Sequence, residues 1–575
     1  DDDRTAPLTR RGDRLWINRT YQQEARLAAM IRARLDNTAP PAAVNTVPAD
    51  GLREEQQNAI RLAQTRRLTL INGGPGTGKT YTIARLIRAE QDAAADIRIA
   101  LAAPTGKAAK RMEESLAAAG ISGLPAQTLH RLLGIDNNGE AQYHASRPLP
   151  HDIIIIDEAS MLSLELAHAL IAATAADTRL ILLGDADQLA AVEPGAILHD
   201  LSHHPALQQH RITLHESQRF ATDSGIGQLA AILGAGGDCG AALLKALEPC
   251  RQPITAADPP TEHSATNQKP LSQGERGWGE GDEQTTSTNS PTEPPPSPRG
   301  RVPTQNAAAF CVGPGGGDGG GVCPHTANAE TTTEPPPPSQ DAPASAAGEG
   351  WGGGSASIPG TTSQTSPIRW YPIPDAALYR ALITPYQSYL EQLQSGADPQ
   401  TLLNAYDQYR ILCAGHHGAL GTRRINAALR RLHQQKQHED TGLDYYHGLP
   451  LMILANDHRQ QLYNGDTGIC LDDGNGLQLH LPNHAPVPLA RLNRASLADA
   501  YALSIHKSQG SEYPHIALTL DDHAERLLSR ELLYTGITRS KGRLDLYASE
   551  TALRTAADTP TRRNTGLAWH LEHSA

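Results

Sequence analysis

Short apolar runs alternate with helix-like segments on both sides of a long stretch rich in proline and glycine. Apolar runs separated by helical patterns are typical of parallel sheets joined by crossover helices. The runs occupy residues 68–72, 98–103, 153–156, 179–183, 409–414, 516–520 and 543–547. The pattern predicts an α/β protein with two nucleotide-fold domains, at residues 51–251 and 368–575.

Residues 447–495 interrupt the second domain with a different pattern. Short strand-like runs alternate there with turn signals, one at Asn464, Gly465 and Asp466 and another at residues 472–476. Closely spaced strands of this kind are typical of small barrels. We expect a small SH3-like β-barrel inserted in the second domain.

Residues 252–367 separate the two domains and differ from both in composition. This stretch contains 19 Pro and 18 Gly but only seven Leu, Ile, Val and Phe residues together. So few apolar side chains cannot form a packed core, and the sequence predicts disorder. A tolerated linker or insertion is the simpler interpretation, and a binding motif is the alternative.

Length and charge limit the class of protein. The chain has 575 residues, enough for several domains, and a net charge of 50 − 62 = −12, which excludes a surface that is basic throughout. Any contact with nucleic acid must therefore be a local groove. No apolar run reaches the roughly 20 residues that cross a bilayer, so we expect no membrane segment.

The two chain features that report on compartment agree with each other. The first residues lack a Met and show no secretory pattern, so we expect a front truncation and no signal peptide. The six cysteines are scattered and form no C-x-x-C pair. These features predict a cytoplasmic protein whose thiols have no metal role.

A phosphate-binding signature follows the first apolar run and opens a helical segment. Glycines allow the backbone N–H groups to approach phosphate oxygens, and the helix N-terminus adds positive potential. Lys79 is expected to reach the β- and γ-phosphates, and Thr80 to offer a hydroxyl to Mg²⁺. A glycine turn without a ligand is the alternative. The signature comprises Gly73, Gly74, Pro75, Gly76, Thr77, Gly78, Lys79 and Thr80.

Two adjacent carboxylates end the run at residues 153–156. Asp157 is predicted to hold Mg²⁺, and Glu158 to orient and deprotonate a water molecule. A strand that simply ends in a charged loop is the alternative, and the preceding phosphate signature makes it improbable. Together the two motifs predict an ATPase.

Three further polar side chains suit the transfer of a phosphoryl group. Gln188 follows another apolar run, where its amide is suited to sensing a γ-phosphate. Arg219 and Arg539 each offer a guanidinium for the charge that spreads over the transferring oxygens. Taken singly, Gln188 is also consistent with a capping turn, and the arginines with surface charge.

Taken in chain order, these segments resemble the motif series of superfamily 1 DNA helicases, and in particular its RecBCD branch. The resemblance covers residues 8–567 apart from 252–367. It also rests on the amino-acid sequences of residues 102–109, 128–134 and 504–512. It implies two RecA-like P-loop domains with parallel sheets and with ATP in the cleft between them.

The resemblance also implies roles for individual residues. Gln56 matches the adenine-reading glutamine, and Glu512 the acid that contacts the ribose. Lys79, Glu158, Gln188, Arg219 and Arg539 match residues used for hydrolysis, and none of these positions is substituted. The residues expected to contact DNA are Pro104, Thr105, Lys107, Thr128, His130, His506, Lys507 and Gln509.

The function implied is an ATP-driven motor that moves 5′ to 3′ on single-stranded DNA and acts at double-stranded DNA ends. In that branch the motor assembles with RecB and RecC as a heterotrimer, and the nuclease belongs to another subunit. Residues 1–50 would be the remnant of a partner-docking region. The alternatives are a stand-alone helicase with a longer N-terminal extension and an ATP-binding scaffold that does not translocate.

Overall fold

A computed structural model describes most of the chain outside the insertion. The described residues are 7–37, 50–217, 225–252 and 367–573, except 137, 373–376, 438–442, 458, 475, 562 and 564. The disorder predicted for 252–367 lies outside the described residues apart from the first and last positions of that stretch. Arg219 also lies outside them.

The part of the chain before the insertion forms an N-terminal hairpin and helix, a parallel sheet with its helices, and two further helices. Its elements are β1 (Leu8–Arg11), β2 (Arg14–Ile17), α1 (Asn18–Leu35), α2 (Glu54–Thr65), β3 (Leu68–Gly73), α3 (Lys79–Ala93), β4 (Ile99–Ala103), α4 (Gly106–Ala118), β5 (Ala126–Thr128), α5 (Leu129–Leu133), β6 (Ile153–Ile156), α6 (Leu164–Ala173), β7 (Arg179–Gly184), α7 (Ile197–His203), β8 (Arg211–Leu214), α8 (Gly225–Gly234) and α9 (Gly240–Leu247).

The part after the insertion forms a second parallel sheet and an antiparallel one. Its elements are β9 (Ile368–Tyr371), α10 (Leu378–Ile383), α11 (Gln387–Gln394), α12 (Pro399–Asp407), β10 (Tyr409–Cys413), α13 (Thr422–Gln437), β11 (Leu449–Ile453), β12 (Thr467–Asp472), β13 (Leu477–His480), β14 (Val487–Pro488), β15 (Leu497–Asp499), β16 (Ala502–Ser504), β17 (Tyr513–Leu520), α14 (Arg530–Thr538), β18 (Ser540–Ala548), α15 (Glu550–Asp558) and α16 (Leu567–His573).

The first lobe is built on a six-stranded parallel sheet in the order β5-β4-β6-β7-β3-β8. Every residue of β3, β4, β6 and β7 is buried, which explains why these strands read as continuous apolar runs rather than as alternating ones. All four apolar runs predicted in this half are confirmed as strands. Because the strands are parallel, their carboxyl ends, which carry the P-loop and Asp157, meet at one edge.

The second lobe is built on a five-stranded parallel sheet in the order β16-β10-β17-β18-β9. The three apolar runs predicted in this half correspond to β10, β17 and β18. The α/β class with parallel sheets is therefore confirmed for both lobes. Helix α14 leads directly into the central part of this sheet through Arg539.

The strand-like runs predicted at 447–495 are confirmed as strands of a separate antiparallel sheet, in the order β14-β13-β12-β11-β15. The sheet extends slightly beyond the predicted range, to Asp499. We call it the β insert. Its closure into an SH3-like barrel stays a prediction.

Two of the hydrophobic cores include helices that lie far away in the chain. Leu229 of α8 and Leu243 of α9 are buried in the same core as Trp370 and Leu533 of the second lobe. In the opposite direction, the last helix, α16, buries Leu567 in the first-lobe core. The second lobe is thus completed by two helices from before the insertion, and the first lobe by one helix from the end of the chain.

Candidate active site

The phosphate-binding loop lies between β3 and α3, at the cleft between the lobes. Gly76 and Gly78 have φ angles of 80° and 85°, which residues with a Cβ adopt only with strain. The Lys79 ammonium donates hydrogen bonds to the carbonyl oxygens of Gly73 and Gly74. The loop therefore gathers a cation and the N-terminus of a 15-residue helix at one point.

Asp157 and Glu158 follow β6, two strands away from β3 in the sheet. Burial, and next the charge of Glu158, raise the pKa of Asp157 to about 6, although Lys79 opposes the shift. Glu158 has a φ of 53°, in the left-handed region that a residue with a side chain rarely adopts. A strained backbone that fixes a carboxylate is found at functional sites more often than elsewhere.

A cavity of about 220 Å³ joins these groups to the second lobe. It is lined by the P-loop, Asp157 and Glu158 on one side and by Glu512 and Arg539 on the other. The residues fit a magnesium–nucleotide complex, because the P-loop presents N–H donors and an ammonium for phosphates. Thr80 and Asp157 offer the oxygen ligands that Mg²⁺ prefers.

Gln188 and Arg539 meet across the cleft. Arg539 Nη2 donates to Gln188 Oε1 at 2.7 Å, and both side chains are buried, with 1% and 6% of their surfaces exposed for Arg539 and Gln188 respectively. Arg539 also donates to the carbonyl oxygens of Thr535 and Ser511. The hydrogen bonds thus hold the Arg539 guanidinium at the edge of the cavity that the P-loop lines.

Glu512 forms an ion pair with the first lobe. Arg111 of α4 approaches its carboxylate at 2.6 Å, and Lys541 lies 3.9 Å away. Burial tends to lower the Arg111 pKa, but the charge and hydrogen bond of Glu512, with the charges of Glu158 and Asp157, together outweigh burial and raise the pKa. The residue predicted to contact the ribose thus also links the two lobes.

Gln56 lies beneath the P-loop. Its Oε1 accepts a hydrogen bond from the backbone N–H of Arg53, which caps α2, and its Nε2 donates weakly to the Thr77 carbonyl oxygen at 3.4 Å. A Cβ on Gly78 would lie 2.5 Å from this amide. The predicted adenine reader is therefore buried against the loop that would hold the phosphates of the same nucleotide.

The predicted DNA contacts of the first lobe lie at the starts of two helices. Thr105 caps α4, and Thr128 caps α5, each accepting a backbone N–H with its hydroxyl. Pro104 and Lys107 flank Thr105 and are half-buried, and His130 is exposed. Helix starts with an exposed edge are suited to holding a DNA phosphate.

The predicted DNA contacts of the second lobe lie in one short turn after β16. His506 and Lys507 are half-buried, and Lys507 Nζ donates to Asn464 of the β insert at 2.7 Å. Gln509 is buried and donates to the Leu189 carbonyl oxygen of the first lobe. The turn therefore touches both the β insert and the first lobe.

Three side chains of the cleft were not found from the sequence. Arg111, Asp185 and Tyr534 all line the cavities beside the P-loop. Arg111 lies six residues beyond the Thr105 cap, and Tyr534 lies 455 positions from the lysine of the P-loop, so no local spacing connects them with it. Asp185 does adjoin Gln188, and this was the one available signal.

The fold and the site together define a P-loop ATPase of the helicase class. A P-loop and paired strand-end carboxylates on one parallel sheet face an arginine carried by a second parallel-sheet lobe. Comparison with known proteins agrees with this class. A family model described as an AAA domain matches residues 56–194, and one described as a UvrD-like helicase C-terminal domain matches residues 499–547.

The curated relatives identify the branch of that class. RecBCD enzyme subunit RecD of Mycolicibacterium smegmatis is 30% identical over 578 residues, covering 97% of this chain and 82% of the relative. The RecD subunit of Haemophilus influenzae is 29% identical, covering 90% of this chain and 72% of the relative. The chain belongs to the RecD family of RecBCD enzyme subunits.

Two further comparisons are narrower or weaker. The ATP-dependent RecD2 DNA helicase of Deinococcus radiodurans is 36% identical over 190 residues, which are 32% of this chain and 25% of the relative. A solved Pif1 helicase from Bacteroides, in complex with ADP-AlF3 and ssDNA, is 15% identical with a TM-score of 0.39, covering 86% of this chain and 92% of that one. Within the described part of the chain, no helix is long and apolar enough to cross a membrane.

Proposed function

We propose that this chain is the ATP-dependent, 5′-to-3′ DNA helicase subunit of a complex that processes double-stranded DNA ends. RecB and RecC would be its partners in a heterotrimer, with the nuclease on another subunit. The proposal rests above all on the contact between Gln188 and Arg539, because it brings an arginine of the second lobe to the phosphate site of the first.

The mechanism follows from the chemistry of the cleft walls, which we interpret as two RecA-like lobes. Lys79 and the P-loop N–H groups would bind the phosphates, and Glu158 would orient and deprotonate the attacking water. Thr80 and Asp157 would hold Mg²⁺, which neutralises phosphate charge when bound. Arg539 and Arg219 would stabilise the charge of the transition state.

Coupling to DNA would follow from the closure of the cleft. ATP contacts both lobes, so binding favours the closed arrangement and hydrolysis releases it. Contacts to DNA at the turns around Lys107 and Lys507 would then shift relative to each other once per turnover. The SH3-like β insert, which bonds to Lys507, would move with the second turn.

The extent of similarity favours a complex subunit over a stand-alone helicase. The match to the RecBCD subunits extends over 97% of this chain, whereas the match to the RecD2 helicase covers 32%. Co-expression with RecB and RecC, followed by size-exclusion chromatography, tests this point. Elution of the chain apart from both partners would favour the stand-alone alternative.

DNA-stimulated ATP hydrolysis and unwinding of forked DNA test the activity itself. We expect unwinding of a fork with a 5′ tail and much slower unwinding of one with a 3′ tail. Lys79→Ala should abolish both activities because the phosphates lose their cation, and Lys245→Ala, at an exposed lysine of α9, is the matched control. ATP binding without DNA-stimulated hydrolysis in the wild type would favour the scaffold alternative.

A further inference from the structure

Helix α14 of the second lobe contacts the first lobe through a tyrosine as well as through Arg539. The Tyr534 hydroxyl donates to Asp185 Oδ2 at 3.1 Å. The same oxygen accepts a hydrogen bond from Gln188 Nε2 at 3.0 Å. With the bond from Arg539 to Gln188 Oε1, three hydrogen bonds link the four side chains in a chain that crosses the cleft twice.

The hydrogen bonds to Asp185 and Arg539 fix which way the Gln188 amide faces. An amide has a donor end and an acceptor end, and the Asp185 carboxylate can only accept from the donor end. Gln188 Oε1 is therefore turned toward Arg539. A reversed amide would set its N–H₂ group against a guanidinium that only donates, and it would leave Asp185 facing an oxygen.

Asp185 is itself held by few groups. Its Oδ1 accepts the backbone N–H of Asp187 at 3.1 Å, and its Oδ2 is shared between Gln188 and Tyr534. Burial raises the pKa of Asp185, with Lys79 opposing the shift. A buried carboxylate depends strongly on each donor, so loss of the tyrosine hydroxyl should loosen it.

Tyr534 also reaches the P-loop. A Cβ on Gly74 would lie 3.0 Å from the Tyr534 hydroxyl oxygen and 3.8 Å from Asp185 Oδ2. The side chain is 8% exposed, and that of Asp185 is 4% exposed. The hydroxyl is therefore a group of the second lobe that meets the first lobe beside the phosphate loop.

We propose that Tyr534 is a positioning residue for ATP hydrolysis: its hydroxyl fixes Asp185, which orients the Gln188 amide between the phosphate site and Arg539. The role rests on the proposed function, since it presupposes hydrolysis in this cleft. It gives Gln188 its catalytic orientation only when the second lobe has closed. Hydrolysis is thereby tied to the closed state by a route that does not pass through Arg539 alone.

The first test removes the Tyr534 hydroxyl and keeps the aromatic ring of the side chain. Tyr534→Phe should lower the kcat of DNA-stimulated ATP hydrolysis about tenfold, the size typical of one lost hydrogen bond to a charged group, and change the KM for ATP less than about twofold. Tyr389→Phe is the matched control, because Tyr389 is a buried tyrosine of the same lobe that donates to the Gly448 carbonyl oxygen. Equal kcat values for the two variants would overturn the proposal.

A double-variant cycle tests the route through Gln188. In a Gln188→Ala background, Tyr534→Phe should cause no further fall in kcat, since the group it positions is gone. An undiminished tenfold fall would overturn the proposal. Asp185→Ala removes the oxygen that Tyr534 and Gln188 share, so it should lower kcat at least as far as Tyr534→Phe does, and a wild-type kcat in that variant would count against the proposal equally.

The wild type separates the two levels of inference. If it shows no DNA-stimulated hydrolysis, the proposed function fails. If it is active and the Tyr534 and Tyr389 variants behave alike, only the role of Tyr534 fails.

Discussion

The two walls of the nucleotide cleft are built in different ways. The first-lobe wall consists of loops that directly follow buried parallel strands, so Lys79, Asp157 and Gln188 are each one short step from β3, β6 or β7. The second-lobe wall consists of side chains on α14 and in the turn before β17, and these are already bonded to the first lobe. The first-lobe wall therefore presents loop groups suited to binding a nucleotide, whereas the second-lobe wall presents side chains that bond to the first lobe.

The buried carboxylates of the cleft and of β18 differ in the direction of their pKa shifts. Burial raises the pKa of Asp157 and of Asp185 in the cleft. Burial has the same tendency at Asp545 of β18, but hydrogen bonds from His515 and Arg369 outweigh it and lower that pKa to about 2. Burial thus disfavours the charge of the two cleft acids, whereas the contacts with His515 and Arg369 favour the charge of Asp545.

Arg539→Ala should have the largest effect, because it removes the proposed catalytic cation of the second-lobe wall. We expect kcat for ATP hydrolysis to fall roughly 10³-fold, with a much smaller change in nucleotide affinity. Single-turnover hydrolysis beside a nucleotide titration measures both, and Arg554→Ala, at a half-exposed arginine of α15, is the control. A wild-type rate of single-turnover hydrolysis in Arg539→Ala would show that the second-lobe wall does not take part in catalysis.

Glu158→Gln should have the next largest effect, and it acts on the first wall. It keeps the shape of the side chain but removes the base, so turnover should fall by at least ~10²-fold while ATP still binds. Rapid-quench hydrolysis with a fluorescent-nucleotide titration checks both values. A rate close to that of the wild type would show that Glu158 is not the base.

Arg111→Ala should have a moderate effect, and it tests the ion pair that joins the walls. The carboxylate of Glu512 is 6% exposed and would lose its nearest cation, so closure around ATP should weaken. We expect the KM for ATP to rise by about threefold to tenfold, with kcat less affected. Arg88→Ala, at an exposed arginine of α3, should leave both constants unchanged.

The carboxylate comparison predicts opposite changes in stability at neutral pH. Asp157→Asn should raise the temperature of thermal unfolding by a few degrees, since the folded state disfavours the charge it removes. Asp545→Asn should lower that temperature. Differential scanning calorimetry checks both, and a change of the same sign in the two variants would contradict the comparison.

The sign of the pH dependence follows for Asp545. Its folded pKa of about 2 lies below the ordinary value of 3.8, so folding favours the ionised form. The contribution to the free energy of unfolding is complete above about pH 4 and is lost as the pH falls toward 2. The stability difference between wild type and Asp545→Asn should therefore shrink over that range.

Local patterns in the chain suffice to predict the parallel sheets, the β insert's strands and the position of the P-loop, Asp157 and Glu158. These features are local, because a strand buried on both faces must be apolar throughout and a phosphate loop must carry glycines beside a lysine. The family resemblance added predicted roles for Gln56 and Glu512, which no spacing in the chain would indicate.

The side-chain contacts across the cleft can be identified from the tertiary structure but not from the sequence. Tyr534 and Asp185, or Arg111 and Glu512, are hundreds of residues apart, and each looks like an ordinary polar residue in its own segment. The packing of α8 and α9 on the second lobe, and of α16 on the first, was likewise invisible to a division of the chain at its composition boundaries. Such contacts depend on how two separately buried sheets are held against each other, and no local pattern of apolar and polar positions encodes that arrangement.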